Sequence, residues 1–534
     1  MDKRAAGSFF VCMLLAVALV CRVAVINDTI SSGVAVSQSS RRIQIADSEG
    51  MIYDRNMKPL VNRQCRTILA VNPDNEALEC LKTQLTTEEY KTAAEKAASG
   101  KPFILECENY NGDSSSIIAM TVYERYSSDD VAVHTIGYTD SQGNGVYGIE
   151  KAFDSLLSSF SGTLSVRYSA DATGRMLKGQ EFEAVNDNYA SSGGIVLTVD
   201  REIQNVCEDS AERNNMESGG IVVLDADTSE ILALVSLPSF DRENLSAAMK
   251  DSRSPFVNRV LNAYSVGSVF KPVVVAAALE EGIDENTVFE CKGYVTINGM
   301  HFNCHKKDGH GMLDMAHAVA VSCNSYFIQL SQQVGAEKII SMASALGFGT
   351  EISLCDSMTS KLGILPAFED IDSSAALANL SFGQGKLLAT PLQIAAVYCA
   401  FANGGYYREP YILKEMVDAD SVVTAYYKNE INNKILPDSI CSKIGKMLSL
   451  TVSEGSGRLA KPMCYEAAGK TATAETGWIE NGNEVYHTWF AGYYPDKNPE
   501  YVIVVFNEYG ESSSTDCAPV FRDIADGITA LETG

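Results

Sequence analysis

A serine and a lysine stand three residues apart in the stretch from Ser265 to Pro272, and together they could run acyl transfer: Ser268 as nucleophile, Lys271 beside it. The residues that follow, Val273 to Leu279, read as a buried helix. Positions i and i+3 share a helix face, so the hydroxyl and the amine are held side by side at its start. A helix N-terminus also favours negative charge developing there. A serine becomes a strong nucleophile when a base takes its proton, and a desolvated lysine with a lowered pKa can be that base. Pro272 falls within the first turn, where its missing N–H does no harm. By itself the pair reads first as an ordinary helix start with a surface lysine. Two further groups alter the weighing: Ser322-Cys323-Asn324 follows an apolar, helix-like run, and Lys470-Thr471-Ala472 follows a short strand-like one.

The elements that must position these groups are legible from composition and pattern. A chain of 534 residues is long enough for two or more domains, and 46% hydrophobic with 21% charged content is ordinary for a globular protein. The net charge of −26 argues against nucleic acid as partner, since phosphate contacts need clustered Lys and Arg. The fourteen cysteines are scattered, with no Cys-x-x-Cys pair, and read as free, small apolar residues rather than a disulfide framework.

Lys3 and Arg4 precede an apolar run from Ala5 to Cys21, and Val23 to Ile26 extend it past Arg22. Residues 1–26 are thus expected to be a short cytoplasmic tail and one transmembrane anchor, with Arg22 snorkelling to the interface. A cleaved signal peptide is the alternative, but no small-x-small site follows, and Ala18-Leu19-Val20-Cys21 is a poor lipidation site. From 27 to 190 the chain is mixed: a strand then a turn over Gly50 to Asn56, a helix over Thr86 to Ala98 ended by Gly100, a strand-like piece His134 to Tyr138, and a helix opening at Gly148. His134 reads as a structural histidine. From 191 to 534 the texture changes. A strand Ile195 to Asp200 and a helix Arg201 to Asn214 precede a hairpin, Gly219 to Leu224 with Glu230 to Val235. Late strands at Thr488 to Gly492 and Tyr501 to Asn507 predict an α+β domain whose terminal strands share one sheet packed against helices.

Ser-x-x-Lys, then Ser-x-Asn, then a Lys-Thr dipeptide is the order found in serine acyl-transfer enzymes of cell-wall metabolism. The chain resembles the class B penicillin-binding proteins, membrane-anchored peptidoglycan DD-transpeptidases, over nearly its whole length. Asn258-Arg259 with Tyr264, Gly383-Gln384-Gly385 with Thr390-Pro391-Leu392-Gln393, and His487 to Tyr493 carry the likeness around the three motifs. Gly50 to Asn56, His134 to Tyr138 and Gly148 to Lys151 carry it in the family's non-catalytic pedestal. The resemblance implies a serine DD-transpeptidase/β-lactamase-like domain over 191–534, a sheet flanked by helices. A pedestal domain over 27–190 and the anchor would precede it, with the catalytic domain extracellular.

The resemblance also implies the roles. Ser268 would attack the carbonyl of a D-Ala-D-Ala stem peptide, or of a β-lactam. Lys271 would be the base. Ser322 would bridge Lys271 and Lys470 and relay the proton to the leaving amine. Asn324 would hold the substrate amide, Lys470 with Thr471 and Thr473 the terminal carboxylate, and the backbone N–H groups of Ser268 and Thr473 the oxyanion. It implies no cofactor, and a membrane glycosyltransferase of the RodA/FtsW type as partner. The chain departs from the family at Glu49-Gly50, where Arg-Gly is usual, at Met57, usually glycine, and at Ala472, usually glycine, whose methyl is expected to add bulk at the ligand face. Cys291, His301, Cys304, His305 and His310 lie close in sequence, but their spacing matches no standard zinc pattern, so no metal is expected; a Cys291–Cys304 bridge is the other reading. A β-lactamase or DD-carboxypeptidase is the nearest enzymatic rival, and a β-lactam sensor or division scaffold the rival of another class.

Overall fold

The computed structural model describes residues 7, 9–25, 40–108, 110–127, 129–177, 182–428, 432–480 and 482–533. Two compact units emerge from it. The smaller comprises Met1–Gly50, Asn62–Ser127 and Ser159–Ser191; the larger comprises Met51–Val61, Ser128–Ser158 and Ser192–Gly534. Of the expected anchor, residues 9–25 are helical and exposed, and its flanks lie outside the described residues. No helix among the described residues is long and apolar enough to cross a membrane.

In the smaller unit the strand Gln64–Val71 is apolar on both faces of its second half, and both are used. Leu69 and Val71 pack with Leu105 and with Ala77, Leu81 and Ala93 of the helices Asn75–Gln84 and Thr87–Ala97. Ile68 and Ala70, facing the other way by strand alternation, pack with Met120, Val122, Leu164 and Val166. The predicted helix after Thr86 begins with a capping box: Glu89 N–H donates to Thr86 Oγ1, and Thr86 N–H donates to Glu89 Oε2.

The larger unit is built on the predicted sheet. The hairpin Gly219–Asp225 and Ile231–Leu237 pairs with Tyr501–Gly510, then Asn483–Tyr494, and last Ala468–Glu480, which forms the edge; all neighbours are antiparallel. On one face Ile221, Val223, Phe490, Ile503 and Val505 pack with Phe521 and Ile524 of the C-terminal helix Ala518–Thr533 and with Ile203 and Cys207 of Arg201–Arg213. Asp200 starts the latter helix by accepting from the N–H groups of Glu202 and Ile203. Against the same sheet packs Pro391–Ala402, whose residues 391–401 are all buried and whose first turn is a Thr390/Gln393 capping box. The helix Lys271–Glu280 is likewise apolar all round and lies among the helices Asn324–Val334, Ala336–Ala345 and Asp438–Ser453.

Two pieces of 27–190 fold with the larger unit. Met51–Tyr53 pairs in parallel with Gly194–Leu197, and the buried Asp54 carboxylate accepts from the N–H groups of Asn56, Lys58 and Arg201. Arg242 and Asp130, 3% and 4% exposed, form a 2.6 Å ion pair. The predicted strand at His134 is instead a short helix, Val133–Ile136, because Gly137 (φ +82°) closes the chain against the Tyr147 carbonyl, where a Cβ would stand 1.8 Å away. His134 Nε2 lies 2.6 Å from the Pro255 carbonyl, and burial pushes the ring's pKa down to about 4.

Met57 has φ +61°, the left-handed conformation that glycine adopts without strain. Its side chain is 39% exposed, so little packing depends on it. Met57→Gly is therefore expected to raise Tm by about 2 °C in a thermal melt, while Met57→Ala does not raise it.

Candidate active site

Ser268 sits on a 3-10 turn, Gly267–Phe270, that runs directly into the helix Lys271–Glu280. Three hydrogen bonds tie this turn and the Ser265 carbonyl just before it to separate elements. Gly267 N–H donates to the Gly383 carbonyl (2.8 Å), Trp489 Nε1–H to the Ser265 carbonyl (2.9 Å), and Tyr398 O–H to the Val269 carbonyl (3.2 Å). Trp489 and Tyr398 are fully buried, so the anchors are themselves held by packing. Among the described residues Ser268 Oγ makes no hydrogen bond, and Ser268 is only partly buried.

Lys271 is fully buried and, among the described residues, forms no ion pair. Its Nζ lies 2.8 Å from the Ser322 carbonyl, 2.7 Å from Asn324 Oδ1 and 3.1 Å from Ser322 Oγ. Burial pulls its pKa down to about 7, against a smaller opposing pull from the Cys323 and Cys304 sulfurs. A neutral amine has two N–H donors and one lone pair. The carbonyl and Oδ1 accept only, so they take both donors and leave the lone pair to receive a hydroxyl proton. Ser322 is held at φ +57°, a strained conformation for a serine and one that clusters at functional sites. Asn324 is the first residue of its helix and not its cap, so its Oδ1 is free of a capping role and accepts from Lys271 instead.

Lys470 lies inside the edge strand Ala468–Glu480, also fully buried and without an ion pair among the described residues, its Nζ donating to the Thr471 carbonyl at 2.8 Å. Burial first, and then the charge of Lys271, hold its pKa well below the lysine range. Two buried, unpaired lysines acting on one another mark a site rather than a core. Ser322 Oγ approaches Lys271 but makes no hydrogen bond to Lys470, so the bridge expected from the resemblance is half formed. Thr471 Oγ1 pairs with Ser456 Oγ at 2.6 Å, and Thr473 Oγ1 with Ser513 Oγ at 3.3 Å; neither serine is marked by a sequence motif.

Ala472 differs from expectation. It is 2% exposed, and a Cβ built on Gly267 would stand 3.4 Å from its methyl and 3.1 Å from that of Ala474. Strand alternation turns the methyl towards the turn that carries Ser268, so it packs under that turn instead of adding bulk at the other face.

The cysteine and histidine group also differs. All fourteen thiols are free, so no bridge joins Cys291 to Cys304. Cys291, Cys304 and His310 do converge, and the fourth member is Cys323, the middle residue of the Ser322–Asn324 motif. His301 lies apart, 3.1 Å from Thr296 Oγ1 and edge-on to Tyr294. A repeated gap carried the signal: twelve residues separate Cys291 from Cys304, and twelve separate His310 from Cys323.

A fold and a site of this kind have relatives. A family model described as the penicillin binding protein transpeptidase domain matches residues 219–526. The chain belongs to that family. Stage V sporulation protein D of Bacillus subtilis is 28% identical over 500 residues, covering 87% of this chain and 75% of its own. Peptidoglycan D,D-transpeptidase FtsI of Escherichia coli is 28% identical over 569 residues, covering 97% and 90%. These relatives make it a class B penicillin-binding protein. A solved peptidoglycan synthase complex contains a chain with the same fold, at a TM-score of 0.70 with 23% identity and 98% of both chains covered.

Proposed function

We propose that Ser268 is the acylating residue of this peptidoglycan D,D-transpeptidase, a serine acyltransferase, and that Lys271 is its base. The saturated donors of Lys271, in a dry site that favours the neutral amine, are the observation that carries this reading. Ser268 Oγ attacks the carbonyl before the terminal D-alanine. The O–C bond forms, the C–N bond breaks, and the serine proton passes to Lys271 and through Ser322 to the departing amine. An amine of a neighbouring stem peptide then takes the acyl group and closes the cross-link. A β-lactam acylates the same serine and stays.

Asn324 Nδ2 holds the substrate amide, and Lys470, Thr471 and Thr473 meet the terminal carboxylate. The backbone N–H groups of Ser268 and Thr473 hold the oxyanion, where one such donor contributes about 3 kcal/mol to the barrier. The smaller unit serves as the pedestal. Lys3 and Arg4 ahead of the apolar run support a single-pass anchor with the catalytic unit outside the cell. FtsI's likeness and the synthase complex, which couples polymerization to crosslinking, support a membrane glycosyltransferase as partner.

The test is to label the full-length protein with a fluorescent penicillin and map the adduct by peptide mass. The expected result is one slowly released adduct on the peptide that carries Ser268, absent from Ser268→Ala. An adduct elsewhere overturns the nucleophile, and rapid release of hydrolysed drug makes the protein a β-lactamase.

A further inference from the structure

We propose that Cys291, Cys304, His310 and Cys323 bind one zinc ion, and that this ion positions the Ser322–Asn324 turn on which Lys271 depends. The four ligand atoms lie within 4.8 Å of one another, and all three cysteines are buried. Zinc held by three thiolates and one imidazole is tetrahedral, with Zn–S about 2.3 Å and Zn–N about 2.0–2.1 Å, so ligand atoms should be separated by about 3.8 Å between sulfurs and about 3.6 Å between sulfur and nitrogen. Here Cys304 Sγ and Cys323 Sγ are 3.9 Å apart, and His310 Nδ1 is 3.5 Å from Cys291 Sγ and 3.6 Å from Cys304 Sγ. These three of the six edges match a tetrahedron around a cation, and the sulfur–sulfur distance is too long for a disulfide. Thiolate-rich sets of this kind select soft divalent metals.

A second observation is independent of those distances. Residues 289–313 form two small two-stranded sheets, Phe289–Cys291 with Gly311–Leu313 and Tyr294–Ile297 with Met300–Asn303. Across this segment the buried side chains beyond glycine are Cys291, Cys304 and Leu313. So small a piece has no apolar core to hold it and needs a staple. The backbone surrounds the sulfurs as it does in structural zinc sites: the N–H groups of Lys306 and Ser325 point to Cys304 Sγ, and that of Tyr326 to Cys323 Sγ.

The link to catalysis is the place of Cys323. It lies between Ser322 and Asn324, and those two residues supply all three acceptors around Lys271 Nζ. A metal bond at Cys323 would fasten the turn that carries the strained Ser322. Cys323 is thus a positioning residue; this half of the proposal rests on the transpeptidase reading, whereas the metal site does not.

The experiment uses the full-length protein purified in detergent with reductant, and measures zinc by elemental mass spectrometry. One zinc per chain is expected, lost in Cys323→Ser and His310→Ala and kept in His301→Ala. To keep the test independent of the folding of a cysteine variant, native protein is also stripped with a chelator and reloaded with cobalt(II), where thiolate-to-cobalt charge transfer and intense tetrahedral bands are expected. Stripping should slow acylation by fluorescent penicillin at least about tenfold, and zinc but not magnesium should restore it. Metal-free protein that takes up neither zinc nor cobalt, or native protein lighter by the hydrogens of a disulfide, overturns the site. Unchanged acylation after stripping overturns the positioning role alone. Stoichiometric zinc without any Ser268 adduct leaves the metal site standing and removes the transpeptidase reading.

Discussion

Lys271→Ala is expected to slow acylation of Ser268 by benzylpenicillin about 10³-fold, within the range that general base catalysis supplies. Lys271→Arg should do no better, because a guanidinium keeps the positive charge but cannot give up its proton. In the native protein the acylation rate should rise about tenfold per pH unit up to a pH of about 7 and then level, since the reactive form is the neutral amine and burial places its pKa at about 7. The direction is set by the lone pair: below that pH the amine is protonated and has nothing with which to accept the serine proton. Stopped-flow acylation from about pH 5 to about pH 9 checks this. A near-native rate for Lys271→Arg, or a rate independent of pH, would assign the base elsewhere.

Gly383→Ala is expected to slow the same step about 10²-fold, although residue 383 touches no reacting atom. Gly383 has φ +77°, and a Cβ there would stand 2.0 Å from the Gly267 carbonyl oxygen and 3.0 Å from Phe270 Cβ. The backbone beside Ser268 would have to retreat by about 1 Å, a displacement that costs rates of this order when a nucleophile must meet a carbonyl at a set angle. Gly385→Ala is the matched control. It too has positive φ, +84°, but its nearest neighbour, Asn379 Cβ, would be 3.5 Å away. It should lose stability to strain and keep most of its acylation rate. Equal rates for the two variants, with melting temperatures recorded alongside, would remove the steric account.

The sheet, the helix after Ser268 and the three motif stretches are legible in the sequence because each is local: a hairpin pattern, an apolar run, a motif. What escaped depends on what meets what across the fold. Met51–Tyr53 looks like part of the smaller unit by position, and only the parallel pairing with Gly194–Leu197 reassigns it. Ala472 reads as added bulk towards a ligand until the register shows which way its methyl points. Cys323 reads as the variable letter of a motif. Its partners lie on a separate small insert, and a spacing rule drawn from contiguous zinc sequences does not reach across to it.

Among the described residues, the strand that carries Lys470, Thr471 and Thr473 pairs with a neighbouring strand on one side only. Unpaired strand edges of this kind invite an extended chain to dock. A stem peptide laid along it would become a sixth strand for the lifetime of the acyl-enzyme, ordered by main-chain hydrogen bonds that read length and direction more than side-chain identity. Tolerance to varied peptides and strictness about their termini would then have one origin: an unfinished sheet that the substrate completes.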